Sequence, residues 1–168
     1  MTSSEVRDQG KIVTATADHE AGEVDASAFF RCTPERLFRA LVSDEICKWW
    51  VRPGVFDTRE WSGEVWEGGA WKATGVGGGQ PYRLEGEFVV IDAPRKLTQT
   101  WKPAGAPIAP ALLSYTLEPS NDGVQLRLRH TNLTNPDICE KTRAGWETSL
   151  SRLQEIISPE PGGSSNGL

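Results

Sequence analysis

At 168 residues the chain is long enough for one domain whose core needs neither metal nor disulfide support. Its net charge of −5 repels nucleic acid and anionic membrane surfaces, and no dense Lys/Arg run offsets that field, so neither is expected as a partner. Three cysteines without C-x-x-C spacing (Cys32, Cys47 and Cys139) argue against a disulfide framework or a zinc site and point to free thiols in a reducing, cytoplasmic compartment.

Residues 1–20 are polar and patternless, which predicts a disordered leader without a secretory signal. The folded domain is expected over 21–158, and 159–168 (PEPGGSSNGL) reads as a flexible tail. No run approaches the roughly 20 apolar residues that span a bilayer, so membrane insertion is not expected.

Within the domain, Val24, Ala26, Ala28 and Phe30 alternate with Asp25, Ser27 and Arg31, the period of a half-buried strand; Phe29 alone breaks the polar face. Thr33-Pro34-Glu35 then supplies a cap, a first-position proline and a first-turn acid for a short helix carrying Leu37, Phe38 and Leu41. A second short helix follows Ser43-Asp44-Glu45, runs through Ile46 to about Trp50 and stops before Pro53-Gly54.

From Val55 to His130 the pattern is that of strands. One passes through Trp71 and Ala73, a hairpin tip falls at Gly75 to Gly79, and a long strand covers Tyr82 to Ile91. Lys96 to Trp101, Ala111 to Glu118 and, after an Asp122-Gly123 turn, Val124 to His130 complete the series. Asn135-Pro136-Asp137 opens the last helix, which runs to about Ile157. Ile138, Trp146, Leu150, Leu153, Ile156 and Ile157 recur on it at helical spacing, with Thr142, Gly145 and Ser149 on or near the same face. The order predicts an α+β fold: a curved antiparallel sheet of about six or seven strands wrapped around a long C-terminal helix.

Seven tryptophans are the compositional signature. Each buries roughly 150–250 Å² and carries an N–H that needs a partner when buried. Rigid aromatic walls with a few polar atoms describe a core and a ligand pocket equally well.

The run Thr33 to Leu41 leading into Trp49-Trp50 is followed by Gly68-Gly69-Ala70-Trp71, Gly86-Glu87-Phe88, Asp92 to Leu97, Thr100-Trp101, Gly123 to Thr131 and Gly145-Trp146. In that order these segments resemble the activator-of-heat-shock-protein-ATPase homologues, within the START-related, polyketide-cyclase-like helix-grip superfamily. The likeness covers about Val24 to Ile157, and it implies an internal cavity between sheet and helix. Val51-Arg52 stands where the family commonly has Gly-Pro, and the Pro/Ala-rich loop from Lys102 to Pro110 is unusual, so the ligand is not carried over.

The functions that the resemblance implies are binding of a hydrophobic or polycyclic small molecule for transport, sequestration or self-protection in an antibiotic producer; a polyketide aromatase or cyclase; and a stress-response domain with a chaperone partner. No cofactor or metal is expected, and a monomer or weak homodimer is. The candidate lining is Trp50, Trp71, Phe88, Gln99, Trp101, Leu113, Tyr115, His130, Trp146 and Ser149. Strand parity turns Gln99, Tyr115 and His130 inward, and a buried amide, phenol or imidazole must find a partner. His130 and Tyr115 are the acid–base candidates if the site is catalytic. His19 falls in the leader and is set aside.

Overall fold

A computed structural model describes residues 12–157. Among these residues, nine strands and three helices follow one another as β1 (Thr14–Asp18), β2 (Glu23–Phe30), α1 (Pro34–Leu41), α2 (Ile46–Trp49), β3 (Val51–Arg52), β4 (Phe56–Gly63), β5 (Ala70–Gly77), β6 (Gln80–Asp92), β7 (Lys96–Pro103), β8 (Ala111–Ser120), β9 (Gly123–Thr131) and α3 (Pro136–Ile157). The strands form one antiparallel sheet in the order β1-β2-β9-β8-β7-β6-β5-β4-β3. It curls into a half-barrel around α3, as the helix-grip reading requires.

The helix starts follow from their caps. Thr33 Oγ1 accepts from Arg36 N at 3.1 Å ahead of α1, and Asn135 Oδ1 accepts from Asp137 N at 2.8 Å ahead of α3. Alternation in β2 buries Val24, Ala26, Ala28 and Phe30. On α3 the buried face is Cys139, Gly145, Trp146, Ser149, Leu150, Leu153 and Ile157. Ile138 and Ile156, which share the helical spacing, instead stay outside the core, 51% and 37% exposed.

Two further corrections concern strands. The patternless leader ends before residue 14, because Thr14–Asp18 pairs with β2 from Thr14↔Ser27 to Asp18↔Glu23. Its inward residues are only Ala15 and Ala17, half-buried against the core, which is too little apolar contrast to read as a strand beforehand. His19, just beyond, places Nε2 3.3 Å from Glu140 Oε1 on α3. The other correction adds β3, two residues long and pairing Val51 with Asp57, and β4, which pairs with β5 from Phe56↔Gly77 to Gly63↔Trp71, so the sheet has nine strands where six or seven were expected. Residues 1–11 and the tail 159–168 lie outside the described residues.

Register places the candidates in rows across the concave face. Val24, His130, Leu113, Gln99 and Phe88 stand opposite one another across β2, β9, β8, β7 and β6. Ala26, Leu128, Tyr115 and Leu97 form the row two residues along. Directly paired residues share a face, so Gln99, Leu113, Tyr115 and His130 all look toward α3.

Two glycines mark contrasting space. Trp71 lies over Gly86, and a Cβ there would sit 2.5 Å from Trp71 Nε1 and collide with the Thr100 carbonyl oxygen. At Gly145, in the middle of α3, a Cβ would meet the Phe56 ring at 3.4 Å, an ordinary contact. Gly86→Ala is therefore expected to cost on the order of 3 kcal/mol. Gly145→Ala is expected to add about 0.5–1 kcal/mol through helix propensity. Denaturant titrations of the two variants check the opposite signs.

A buried aromatic cluster as the candidate functional site

Indoles from four elements converge under α3. The doublet at the end of α2 contributes Trp49 and Trp50, β5 contributes Trp71, β7 contributes Trp101 and α3 contributes Trp146. Trp50 lies 4.8 Å from Trp101, 5.8 Å from Trp71 and 6.3 Å from Trp146, ring centre to ring centre. Trp101 also lies 5.5 Å from Trp71 and 5.2 Å from His130, and Tyr115 stands edge-on to Trp146 at 6.2 Å. These separations fit the tilted and edge-to-face contacts that aromatic quadrupoles favour.

Six of the ten candidates (Trp50, Trp71, Trp101, Tyr115, His130 and Trp146) thus form one ring network. Phe88, Gln99 and Leu113 sit buried in the His130 row, and Ser149 is buried one turn along α3 from Trp146. Trp49 was not foreseen as a member. It packs 5.8 Å from Trp50 and 6.3 Å from Trp146, and the Trp-Trp doublet was the signal for it.

Where an open chamber was expected, indole side chains from opposite walls reach far enough to meet. Two grooves lie outside the cluster. One groove of about 780 Å³ runs past Val51, Phe56, Val76, Arg152 and Ile156, and another of about 790 Å³ past Asp44, Trp61, Lys72 and Arg83. They share Cys47 and Arg59, and none of the ten candidates lines either.

Hydrogen bonding inside the cluster is uneven. Trp49 Nε1 donates to the Ala40 carbonyl and Trp71 Nε1 to the Thr100 carbonyl, both at 3.0 Å. Trp146 Nε1 donates to His130 Nδ1 at 3.0 Å, which assigns the imidazole proton to Nε2. That Nε2 has no partner, and neither do Gln99 Oε1, Tyr115 OH or Trp50 Nε1. The Trp50 indole comes near enough to the Tyr115 hydroxyl to favour the phenolate slightly, but without hydrogen-bond geometry at either atom.

Burial sets the protonation states. Desolvation depresses the His130 pKa to about 3, and desolvation raises that of Tyr115 far above its ordinary value. The other buried polar residues are Thr58, Thr98, Gln99 and Ser149, so no buried charged side chain polarises either group. A general base working near neutrality needs a pKa near neutrality. His130 and Tyr115 are instead a neutral donor and a neutral phenol, suited to hydrogen bonding. Among the described residues no three His, Cys, Asp or Glu side chains converge to hold a metal ion, and no helix is long and apolar enough to cross a membrane.

The profile of the family described as "Activator of Hsp90 ATPase homolog 1-like protein" matches residues 31–158. The chain belongs to the Activator of Hsp90 ATPase homolog 1-like family. Solved structures agree on the fold. Protein Ms6760 from Mycobacterium smegmatis superposes with a TM-score of 0.74 at 14% identity, over 90% of this chain and 100% of that one. A protein from Arthrobacter aurescens gives 0.72 at 18% identity, over 86% and 90%. CalU16 from Micromonospora echinospora gives 0.59 at 22% identity, over 88% and 85%. No curated protein matches the chain. Membership in the Hsp90-activator-homologue family thus accounts for the half-barrel and its helix, a fold that generally binds hydrophobic ligands.

The depressed His130 pKa has a consequence for stability. Between about 3 and the unfolded value of 6.5 the unfolded chain binds a proton that the folded chain refuses. This contribution is fully present above pH 6.5 and is lost as pH falls through that window. From pH 6.5 to 5 the wild type is expected to lose about 2 kcal/mol more than His130→Gln, whose amide oxygen still accepts from Trp146. Urea unfolding of both proteins at the two pH values measures the difference, in which titrations common to both cancel.

Proposed function

We propose that the protein binds a hydrophobic, polycyclic small molecule among the aromatic rings beneath α3 and holds it for sequestration or transport. The observation that carries this reading is the set of buried polar atoms without partners: His130 Nε2, Gln99 Oε1, Tyr115 OH and Trp50 Nε1. An unsatisfied buried donor or acceptor costs about 1–3 kcal/mol. Arg36 Nη1 and Trp61 Nε1 are the other such side-chain atoms among the described residues, so four of six belong to the cluster and the row beside it. A few convergent polar points on apolar and aromatic walls are the composition of a small-molecule site. Because the rings now touch, the ligand has to part them. The bound state is therefore a rearranged one, favoured only in proportion to the ligand's preference for it.

If Gln99 Oε1 awaits a ligand, its removal stabilises the free protein and harms the complex. Gln99→Met is expected to raise stability by about 1 kcal/mol, a shift of roughly 2–4 °C in Tm, while weakening polycyclic ligands that carry hydroxyl groups. Scanning calorimetry with and without such compounds tests both halves. A variant less stable than wild type, together with no Tm shift for any polycyclic aromatic, would overturn the reading.

A further inference from the structure

We infer that the ligand is an uncharged polycyclic aromatic ketone bearing a hydroxyl group, and that it takes the place of the Trp101 indole. The inference rests on the binding reading above and adds the ligand's chemistry and the side chain that yields.

Charge comes first. The buried polar residues are Thr58, Thr98, Gln99, His130 and Ser149, and none presents a charge to an ionised guest. A carboxylate or ammonium entering this space would give up its hydration with no counter-ion to replace it, a penalty that relaxation does not remove. The guest is therefore neutral.

The hydrogen-bond pattern narrows it further. Trp146 occupies His130 Nδ1, so Nε2 offers a donor and calls for a carbonyl-type acceptor. Gln99 Oε1 is an acceptor and calls for a hydroxyl. Both residues flank Leu113 on adjoining strands, so their backbones stand two strand spacings apart, about 9–10 Å. A carbonyl and a hydroxyl on different edges of a flat, multi-ring frame fit that separation better than a single ring does. Tyr115, two residues from Leu113 on the same strand, either donates to or accepts from the same frame.

Trp101 is the ring whose removal costs least. It lies within 6 Å of Trp50, Trp71, His130 and Trp146, so its indole sits where a flat guest would touch all four. Trp49, Trp71 and Trp146 are each held by a bond from their N–H, whereas the Trp101 indole makes none. It is also only partly buried, at the end of β7 opposite Ala111, where the Pro/Ala-rich loop joins β8. Swinging it outward breaks no side-chain hydrogen bond.

The experiment titrates the full chain at pH 7 with 2-hydroxy-9-fluorenone, fluorene and 9-fluorenone-2-carboxylate, by calorimetry and by Tm. The hydroxyketone is expected to bind about tenfold or more tighter than either comparator. Gln99→Met is expected to cut its advantage over fluorene about threefold or more, leaving the part owed to the bond from His130 Nε2 to the carbonyl, and to leave fluorene unchanged. Trp101→Leu is expected to raise hydroxyketone affinity at least about fivefold, because no ring then has to move. Trp71→Leu, which removes a tethered ring, is expected to give no such gain.

Equal binding of all three compounds would overturn the ligand class while leaving the binding reading intact. Weaker hydroxyketone binding to Trp101→Leu, or to the milder Trp101→Phe if the first fails to fold, would overturn the displacement. If none of the compounds binds wild type or either Trp101 variant, the binding reading itself fails.

Discussion

The hydrogen bond from Trp146 Nε1 to His130 Nδ1 joins the long helix to the inner face of the sheet, and the rest of the interior is arranged around it. It fixes the rotation of α3 by pinning its largest buried side chain to a particular strand position. It also selects one imidazole tautomer, leaving Nε2–H as the buried, unpartnered end of the pair. Because the imidazole is fully enclosed and uncharged, the bond is neutral on both sides. Its contribution is about 1 kcal/mol of net stability and a good deal of orientation. Leu150 and Leu153, further along the same helical face, are buried with it.

Around that bond the packing shows a division of labour. Trp49 and Trp71 are fastened by their N–H groups to backbone carbonyls and act as walls. Gly86 exists to let one of those walls lie flat on the sheet. Trp50 and Trp101 touch several rings without being fastened to any, and the unpartnered polar atoms face the same region. A core selected only for stability would have replaced Gln99 by an apolar residue of similar volume, since a half-satisfied polar group is worse than none. The proposed binding role accounts for that cost, since a ligand that parts the rings would supply the missing partners.

Much of this was legible beforehand, and the limits have physical causes. The caps at Thr33 and Asn135, the alternation of β2 and the parity of Gln99, Tyr115 and His130 are local features, and each appears in the structure where local rules put it. Parity gives direction without distance. It turned the rings inward correctly but did not reveal that indoles from α2, β5, β7 and α3 reach far enough to meet. Thr14 to Asp18 escaped notice because alanine and threonine differ too little in apolarity to show a period. Ile138 and Ile156 have helical spacing yet face solvent, because the half-barrel covers a narrower stripe of α3 than the apolar pattern spans. The missing partners of His130 Nε2 and Gln99 Oε1 depend on every atom nearby, which no sequence pattern encodes.

The spacing of the rings also has an optical side. Indoles whose centres lie between 4.8 and 6.3 Å apart couple their electronic transitions, so Trp49, Trp50, Trp71, Trp101 and Trp146 absorb in concert. Their near-ultraviolet circular dichroism is a property of the assembly, set by mutual tilt and separation. A movement of one indole alters the spectrum of all five. The interior thus carries its own goniometer, one that needs no attached dye.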